Sequence, residues 1–377
     1  MSRGLPFRRL FAPAFAFLAA VTFASLAAGP ACAQLFAAPS GLTPHEADFV
    51  IPDFHFRSGE TLPQLRIHYR TLGTPRRDSS GRIVNAVMVL HGTGGDGSQF
   101  FQPQFAGVLF RPGGQLDPAR WYVILPDDIG HGRSSKPSDG LHARFPRYGY
   151  ADMVEAEHLL TTRGLGIERL RLLMGTSMGC MHAFMWGETW PDGAAALMPM
   201  ACAPTQIAGR NRMWRKMAIE AIRSDPDWQG GDYARQPERA LRTVEDLTLI
   251  AGSTPLPQLI LLPTRDAADA FVEKTVPTAM ARLDANDYLY AISSSGDYDP
   301  SAHLEAIKAP VTWINSADDF INPPELRVGE TFAPRLRNGR FVLIPVSEHT
   351  HGHGSHTWAV LWQDELAMLL ARSGPVP

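Results

Sequence analysis

The chain reads LRLLMGTSMG over residues 170–179. The first five residues are mostly apolar, as expected of a strand that is covered on both faces of a parallel sheet. The next five match the pattern G-x-S-x-G, and residues 182–189 after them have helical character. Small neighbours permit the sharp strand-to-helix turn that projects the Ser177 hydroxyl above the sheet. The stretch therefore predicts Ser177 as a nucleophile, and a purely structural turn is the alternative.

A negative charge that develops beside Ser177 requires hydrogen-bond donors, of which two are predicted. The backbone N–H of Met178 is the first, because N–H groups at a helix N-terminus lack partners within the helix. The second is the N–H of Thr93, in the segment HGTGG of residues 91–95, which directly follows an apolar run. We interpret His91 as a structural histidine that holds this loop.

Further apolar runs indicate a doubly wound parallel sheet, because turns and plausible helices separate them. From residue 204 to residue 302 these runs stop and helical spacing takes over. We therefore predict an α/β fold with a mostly parallel central sheet, helices on both faces and a helical cap inserted before the last two strands. The core comprises residues 34–203 and 303–377. The predicted strands lie at residues 65–69, 86–90, 121–125, 170–174, 195–200, 311–315 and 341–345.

The two ends of the core carry weaker signals. Residues 34–53 are polar and contain proline, so we predict a lead-in without a strand. Residues 358–370 have apolar side chains on or near one stripe and are predicted to form one amphipathic helix.

A serine hydroxyl is a weak nucleophile at neutral pH, so a histidine must take its proton and a carboxylate must orient that histidine. Both groups are expected after late strands. Asp318 and Asp319 follow residues 311–315, and four histidines follow residues 341–345. The residues alone therefore leave open which aspartate is the acid and which histidine is the base. The histidines also resemble a metal-binding run, but few other ligand residues accompany them, so no metal is predicted. The histidines after residues 341–345 are His349, His351, His353 and His356.

The composition is that of a globular protein, with 377 residues of which 45% are hydrophobic and 19% charged. In residues 1–33, three arginines precede an uncharged apolar run that ends in the sequence ACA. This pattern is typical of a signal peptide cleaved before Gln34, and predicts a periplasmic or secreted protein without stable membrane insertion. A membrane anchor is the alternative. Loss of the three arginines changes the net charge from −3 to −6, which does not favour nucleic acid as a partner.

Three cysteines occur in the chain, and Cys32 would leave with the signal peptide. Cys180 and Cys202 each lie in an apolar stretch. An exported protein permits a disulfide, but two cysteines are too few for a disulfide scaffold. We therefore predict two buried free thiols.

A set of short motifs is spread over residues 54–370: RFP at 144–146, DMV at 152–154, GTSMGCM at 175–181, DPDW at 225–228, GDY at 231–233, DFINPPE at 319–325 and GHG at 352–354. With these motifs the chain resembles the homoserine O-acetyltransferase branch of the α/β-hydrolases and its related hydrolases. The resemblance implies the α/β-hydrolase fold and no cofactor. It also implies Asp319 as the acid, since the family's acid lies four residues before a Pro-Pro pair, and His353 as the base, since it lies in a Gly-His pair. Asp318 remains the second choice.

The cap is predicted to roof the substrate pocket. In the transferases an arginine two residues before an Ala-Ile pair helps to hold the amino-acid acceptor, and Lys216 stands there in this chain with Arg215 adjacent. Lysine cannot form the same bidentate contact with a carboxylate. The family also implies a homodimer formed through the cap. Candidate wall residues are Trp214, Trp228, Tyr233 and Tyr288.

Three functions remain at this point. The first is an exported serine hydrolase that cleaves a small-molecule acyl ester through an acyl-Ser177 intermediate, with water as acceptor. It is favoured because the export signal separates the protein from cytoplasmic acetyl-CoA and homoserine. The second is an O-acyltransferase with an amino-acid or alcohol acceptor. The third is a non-catalytic binding protein on a hydrolase scaffold.

Overall fold

A computed structural model describes Pro39 and residues 41–374, so the predicted signal peptide lies outside the described residues. Eight strands form one sheet in the order β1-β2-β4-β3-β5-β6-β7-β8. The pairs β1–β2 and β2–β4 are antiparallel, and all others are parallel. The strands are β1 His45–His55, β2 Thr61–Leu72, β3 Ala86–Leu90, β4 Tyr122–Pro126, β5 Leu172–Thr176, β6 Leu197–Met200, β7 Val311–Ser316 and β8 Gly339–Ile344. This architecture confirms the predicted fold class.

Helices cover both faces of the sheet. One face is covered by α2 Tyr150–Leu159 and α3 Met178–Thr189, and the other by α1 Pro103–Leu109 and α10 Gln363–Arg372. Within β3, Met88 and Leu90 point into the core on the side of α2 and α3, whereas Val87 and Val89 point into the core on the other side. Because successive side chains of a strand alternate between faces, a strand buried on both faces must be apolar throughout.

The chain between β6 and β7 is helical, as predicted. Its helices have a core of their own, which includes Ile219, Val244 and Leu289. After β7, the chain forms α9 Val328–Phe332 and then β8 before it reaches α10. No helix in the described part of the chain combines the length and the apolar character that a membrane span requires. The cap helices are α4 Gly209–Ser224, α5 Glu238–Ala251, α6 Pro255–Leu261, α7 Arg265–Met280 and α8 Ala285–Ser293.

Two predictions at the ends of the core are wrong. Strand β1 begins at His45, inside the segment that was predicted as a lead-in, and its side chains Ile51 and Phe54 are buried. Pro52 is compatible with this strand because β1 is at the edge of the sheet and needs no N–H toward solvent. The last helix begins at Gln363 rather than at residue 358, because the ring of Trp358 stacks on His351 at 3.8 Å.

The prediction of free thiols is also wrong, because Cys180 and Cys202 form a disulfide. Cys180 lies on α3, and Cys202 follows the end of β6. The two Cα atoms are 6.0 Å apart, within the range that a disulfide spans. The cysteines are 22 residues apart in the chain and come together only because β6 lies beside β5, which leads into α3.

Candidate active site

Ser177 lies at a sharp turn between β5 and α3. Its backbone has φ 53° and ψ −106°, a left-handed conformation that is costly for any residue except glycine. Its neighbours must be small: a Cβ on Gly175 would lie 2.0 Å from the carbonyl oxygen of Gly179, and a Cβ on Gly179 would lie 2.4 Å from that of Leu90. The N–H of Ser177 donates to the carbonyl of Met200 at 2.8 Å, which fixes the turn against β6.

Ser177, His353 and Asp319 form a continuous chain of hydrogen bonds. The Ser177 hydroxyl lies 2.8 Å from His353 Nε2, and His353 Nδ1 lies 2.9 Å from Asp319 Oδ2. An ionised carboxylate only accepts hydrogen bonds, so Nδ1 carries the proton and Nε2 accepts from the serine. The structure thus brings together three side chains that the sequence separates by up to 176 positions.

Asp319 is held in its ionised form. Its side chain is buried, and burial alone would raise its pKa, but the charge of His353 and hydrogen bonds from His353, Asn322 and the N–H of Ile321 bring the pKa below its ordinary value. Asn322 donates at 3.1 Å and the N–H of Ile321 at 2.7 Å. Sequence reasoning assigned no role to Asn322, although it lies inside the quoted motif DFINPPE.

The neighbouring candidates have other partners. Asp318 accepts hydrogen bonds from the Thr254 hydroxyl at 2.6 Å and from the N–H of Gly352 at 3.1 Å, and so holds the loop that carries His353. His349 is exposed at the surface. His356 is half-buried beside His353, and desolvation together with the charge of His353 lowers its pKa to about 3.

The loop that contains Thr93 is anchored beside Ser177. His91 is fully buried, and burial lowers its pKa to about 4, so its ring is neutral. Its Nε2 accepts from the N–H of Asp128 at 3.0 Å, and Nδ1 donates to the carbonyl of Gly92 at 2.8 Å. Its own carbonyl accepts from the N–H of Gly179 at 2.9 Å. These bonds fit the predicted structural role of His91 and tie the loop to the start of α3.

A cavity of about 1040 Å³ opens above Ser177, Asp319 and His353. Residues of the segments 201–203 and 317–332 line it on the side of the sheet, while the cap contributes residues of the segment 205–211 together with Arg215 and Gln258. The volume is at the upper end of what small-molecule sites enclose. The loops at the carboxyl ends of the parallel strands, here called the rim of the sheet, and the cap therefore bound one cavity.

Of the six cap residues predicted to contact the substrate, the structure places only Arg215 in this cavity. Lys216 is exposed and donates to Glu220 at 2.6 Å on the outer face of α4. One residue step turns a helix by about 100°, so Lys216 faces away when Arg215 faces the cavity. The prediction for Lys216 is therefore wrong.

The predicted aromatic wall belongs instead to the core of the cap. Tyr233 donates its hydroxyl to Asp284 at 2.7 Å, and Trp214 donates its indole N–H to Asn211 at 3.1 Å. Trp228 and Tyr288 pack with them against the same cap core. Aromatic side chains in a small helical unit supply most of its apolar area, so they are needed inside it.

Arg215 lies in an unusual environment. Its side chain is 2% exposed and lines the cavity together with Ser177. Its guanidinium donates to Asn211 at 3.1 Å and to Ser295 at 3.4 Å, both neutral partners. In residues 41–374 it forms no ion pair with a carboxylate, and its guanidinium carbon lies 5.1 Å from the centre of the Trp214 ring. Buried charges in proteins are usually paired, so an arginine like this one is suited to an anionic ligand.

One group of side chains within the described residues has the composition and spacing of a metal site: Asp128, Glu157 and His182. It does not include the histidines after β8. Glu157 Oε1 and His182 Nδ1 are hydrogen-bonded at 2.8 Å, and Asp128 Oδ2 lies 3.5 Å from the same nitrogen. All three are buried beneath the loop of residues 91–95 and are absent from the lining of the cavity.

The sheet order and a serine at the strand-to-helix turn, bonded to a histidine and an aspartate at later strand ends, define the class of α/β-hydrolases. The chain belongs to this family: the sequence profile described as alpha/beta hydrolase fold matches residues 85–350. Curated relatives place it more closely, and solved structures share its fold.

The chain is 30% identical over 286 residues to a probable acyltransferase of Methanothermobacter thermautotrophicus, covering 74% of this chain and 84% of the relative. It is 29% identical over 322 residues to a homoserine O-acetyltransferase of Chlorobaculum tepidum, covering 78% and 85%. The structure of the acetyl esterase MekB superimposes with a TM-score of 0.73 at 23% identity, over 87% of this chain and 96% of that one. The chain is thus an enzyme of the α/β-hydrolase fold in the homoserine O-acetyltransferase-like branch.

Proposed function

We propose that this protein is an exported serine hydrolase that cleaves small-molecule acyl esters through an acyl-Ser177 intermediate. The observation that carries the proposal is the chain of hydrogen bonds from Asp319 through His353 to Ser177 at the floor of the cavity. Such a chain activates a serine hydroxyl, because the histidine takes the proton and the carboxylate stabilises the resulting imidazolium.

The proposed reaction has two halves. Ser177 Oγ attacks the ester carbonyl as its proton passes to His353 Nε2, and the oxyanion accepts hydrogen bonds from the N–H groups of Met178 and Thr93. Each such donor contributes about 3 kcal/mol of transition-state stabilisation. His353 then protonates the leaving alcohol. In the second half, His353 takes a proton from the acyl acceptor, which attacks the acyl-Ser177 carbonyl. His353 then returns the proton to Ser177 Oγ as the bond between Oγ and the acyl carbon breaks, which regenerates the free enzyme.

The test is the loss of both turnover and labelling in a Ser177→Ala protein. Wild type should hydrolyse p-nitrophenyl esters and form a covalent adduct with a fluorophosphonate probe, visible as a mass increase. Ser58→Ala, which changes an exposed serine in the turn between β1 and β2, serves as the control and should behave as wild type. Ester turnover that survives in Ser177→Ala would contradict the proposal.

A second candidate function is O-acyl transfer, and Arg215 is the observation that favours it. A buried guanidinium with only neutral partners in the cavity is suited to a carboxylate on the acyl group or on the acceptor. The lysine at position 216 does not argue against an amino-acid acceptor, since Lys216 faces solvent. The names of several relatives, which are homoserine O-acetyltransferases, add weight to transfer.

The ratio of free acid to O-acyl product distinguishes hydrolysis from acyl transfer. With a p-nitrophenyl ester as donor, added homoserine or serine would compete with water for the acyl-Ser177 intermediate. Hydrolysis predicts that free acid remains the main product at millimolar acceptor concentrations. A main product of O-acyl amino acid would establish transfer instead, and the ratio is read directly by mass spectrometry.

Export is supported by two separate features. Residues 1–33 have the pattern of a cleavable signal peptide. The disulfide between Cys180 and Cys202 is typical of oxidising compartments. Fractionation of the producing cells, with N-terminal sequencing of the mature protein, should yield a chain that begins at Gln34 outside the cytoplasm. An intact N-terminus in the cytoplasmic fraction would contradict export.

We also propose a homodimer formed through the cap, because the cap exposes apolar side chains that water does not favour. Leu259 and Leu261 on α6 are 66% and 69% exposed, and Ile260 between them is exposed as well. Adjacent exposed apolar groups of this kind mark association surfaces. Light scattering should report a dimer for wild type and a monomer for the Leu259→Glu/Leu261→Glu variant, and a monomeric wild type would overturn this assignment.

A further inference from the structure

The disulfide joins the two segments on which the geometry of the active site depends. Cys180 lies three residues after Ser177 on α3. Cys202 lies two residues beyond the end of β6 and lines the same cavity as Ser177. We call residues 200–203 the bridging segment, because it lies between the nucleophile and the acid.

The bridging segment contacts both ends of the catalytic chain. At one end, the carbonyl of Met200 accepts from the N–H of Ser177 at 2.8 Å. At the other end, the carbonyl of Ala201 accepts from the side-chain amide of Asn322 at 3.1 Å. The same amide nitrogen donates to Asp319 Oδ2 at 3.1 Å. A displacement of this segment therefore changes the position of the acid relative to the nucleophile.

The bridging segment is held in a conformation that it would not adopt freely. Ala201 has φ 65°, in the left-handed region that a residue with a Cβ avoids. The carbonyl of Cys202 accepts two hydrogen bonds from β7, from the indole of Trp313 at 3.0 Å and from the amide of Asn315 at 3.1 Å. On the side of the nucleophile, the covalent tie is the disulfide to α3.

We propose that Cys180 and Cys202 are positioning residues, whose disulfide fixes the bridging segment between Ser177 and Asp319 and thereby sets the rate of acyl transfer. Reduction by a dithiol transfers two electrons and two protons to the disulfide, which gives two cysteine thiols and an oxidised cyclic dithiol. The hydrogen bond from the N–H of Ser177 to the carbonyl of Met200 then remains between the bridging segment and the start of α3. The inference rests on the proposed function, since it concerns the rate at the same site.

The test compares oxidised wild type, dithiothreitol-reduced wild type and the Cys180→Ala/Cys202→Ala variant with a p-nitrophenyl ester. Geometry at the reacting atoms affects kcat, and a displacement on the order of 1 Å costs up to about a hundred-fold. We expect kcat to fall about ten-fold on reduction and in the variant, while KM changes less than two-fold. Reoxidation should restore kcat of wild type, and dithiothreitol should have no effect on the variant.

Circular dichroism and thiol titration decide what the rates mean. A fall in kcat with two free thiols and unchanged ellipticity supports a positioning role. Unchanged kcat with two free thiols overturns it, and so does a fall in kcat that occurs only together with loss of ellipticity, since the disulfide would then serve stability alone. Failure of the oxidised protein to react with a fluorophosphonate would overturn the proposed function itself.

Discussion

The rim of the sheet and the cap bound the same cavity but are built in different ways. At the rim, Ser177, Asp319 and His353 follow the ends of β5, β7 and β8, and direct hydrogen bonds connect them. In the cap, Arg215 reaches the cavity from the middle of a helix, and its neighbour in the chain faces solvent. Strand order thus fixes the groups proposed to react, whereas the rotation of α4 about its axis decides which cap residue faces the cavity.

This difference implies a division of kinetic effects. Groups at the rim act on the bond that breaks, so their removal should lower kcat. Groups of the cap contact parts of the substrate that do not react, so their removal should act mainly on KM. Substitutions at the two places can therefore show whether the division is real.

The largest effect is expected at the rim, in His353→Ala. Without the imidazole no group takes the proton of Ser177, and loss of such a base lowers kcat by about 10⁵-fold or more. The measurement is steady-state hydrolysis of a p-nitrophenyl ester. His349→Ala, which removes an exposed histidine of the same loop, is the control and should retain wild-type kcat. Equal losses in the two variants would break the assignment of His353.

Much of the rim could be predicted from sequence because strand order determines it. Buried parallel strands are continuous apolar runs, so residues 86–90 and 170–174 stand out in the sequence. A serine that follows such a strand in the pattern G-x-S-x-G lies at the carboxyl end of that strand, at the rim of the sheet. The choices between Asp318 and Asp319 and among the four histidines came from a family resemblance, because neighbours on one loop differ only in where their side chains point.

Features that depend on tertiary neighbours escaped sequence analysis. The helical pattern of α4 does not show which of Arg215 and Lys216 faces the cavity, because that depends on how the cap docks on the sheet. The disulfide requires β6 to lie beside β5, which spacing in the chain does not reveal. Edge strand β1 has few buried side chains and so lacks the apolar run that marks the central strands.

An intermediate effect is expected in the cap, in Arg215→Gln. If the guanidinium binds a carboxylate of the ligand, its loss should raise KM for an anionic substrate about ten- to hundred-fold, the usual range for a charged hydrogen bond of about 1.5–3 kcal/mol. A hemisuccinate ester would serve as the anionic substrate and an acetate ester as the neutral one. The KM for the acetate ester should change little.

Lys216→Gln is the matched control, since it removes a positive charge one residue away on the exposed face of α4. It should leave both KM values as in wild type. Arg215→Gln with equal KM changes for the anionic and the neutral ester would show that Arg215 only shapes the cavity. A large loss of kcat without a change in KM would break the division between rim and cap.

The smallest effect is expected for the buried group Asp128, Glu157 and His182, which lies beneath the rim of the sheet. The cap residues that line the cavity include no such group of titratable side chains. Glu157 is fully buried, and burial raises its pKa from 4.5 to about 8, while the pKa of Asp128 beside it is raised as well and that of His182 is lowered by burial. Between pH 4.5 and about 8 the folded protein holds a proton on Glu157 that the unfolded chain does not. The contribution of Glu157 to the free energy of unfolding should therefore be fully present below pH 4.5 and be lost as the pH rises toward 8.

The variant Glu157→Gln should flatten this decline, because a neutral amide replaces the group that titrates. The full effect of one proton is about 1.4 kcal/mol per pH unit, or about 2 °C in Tm for a chain of this size. Thermal unfolding at pH 5, 6, 7 and 8 would measure it, with the exposed Glu348→Gln as control. Some slope should remain, since Asp128 still titrates. Parallel curves for wild type and Glu157→Gln would show that Glu157 is ionised in the folded protein, and that its contact with His182 is an ion pair.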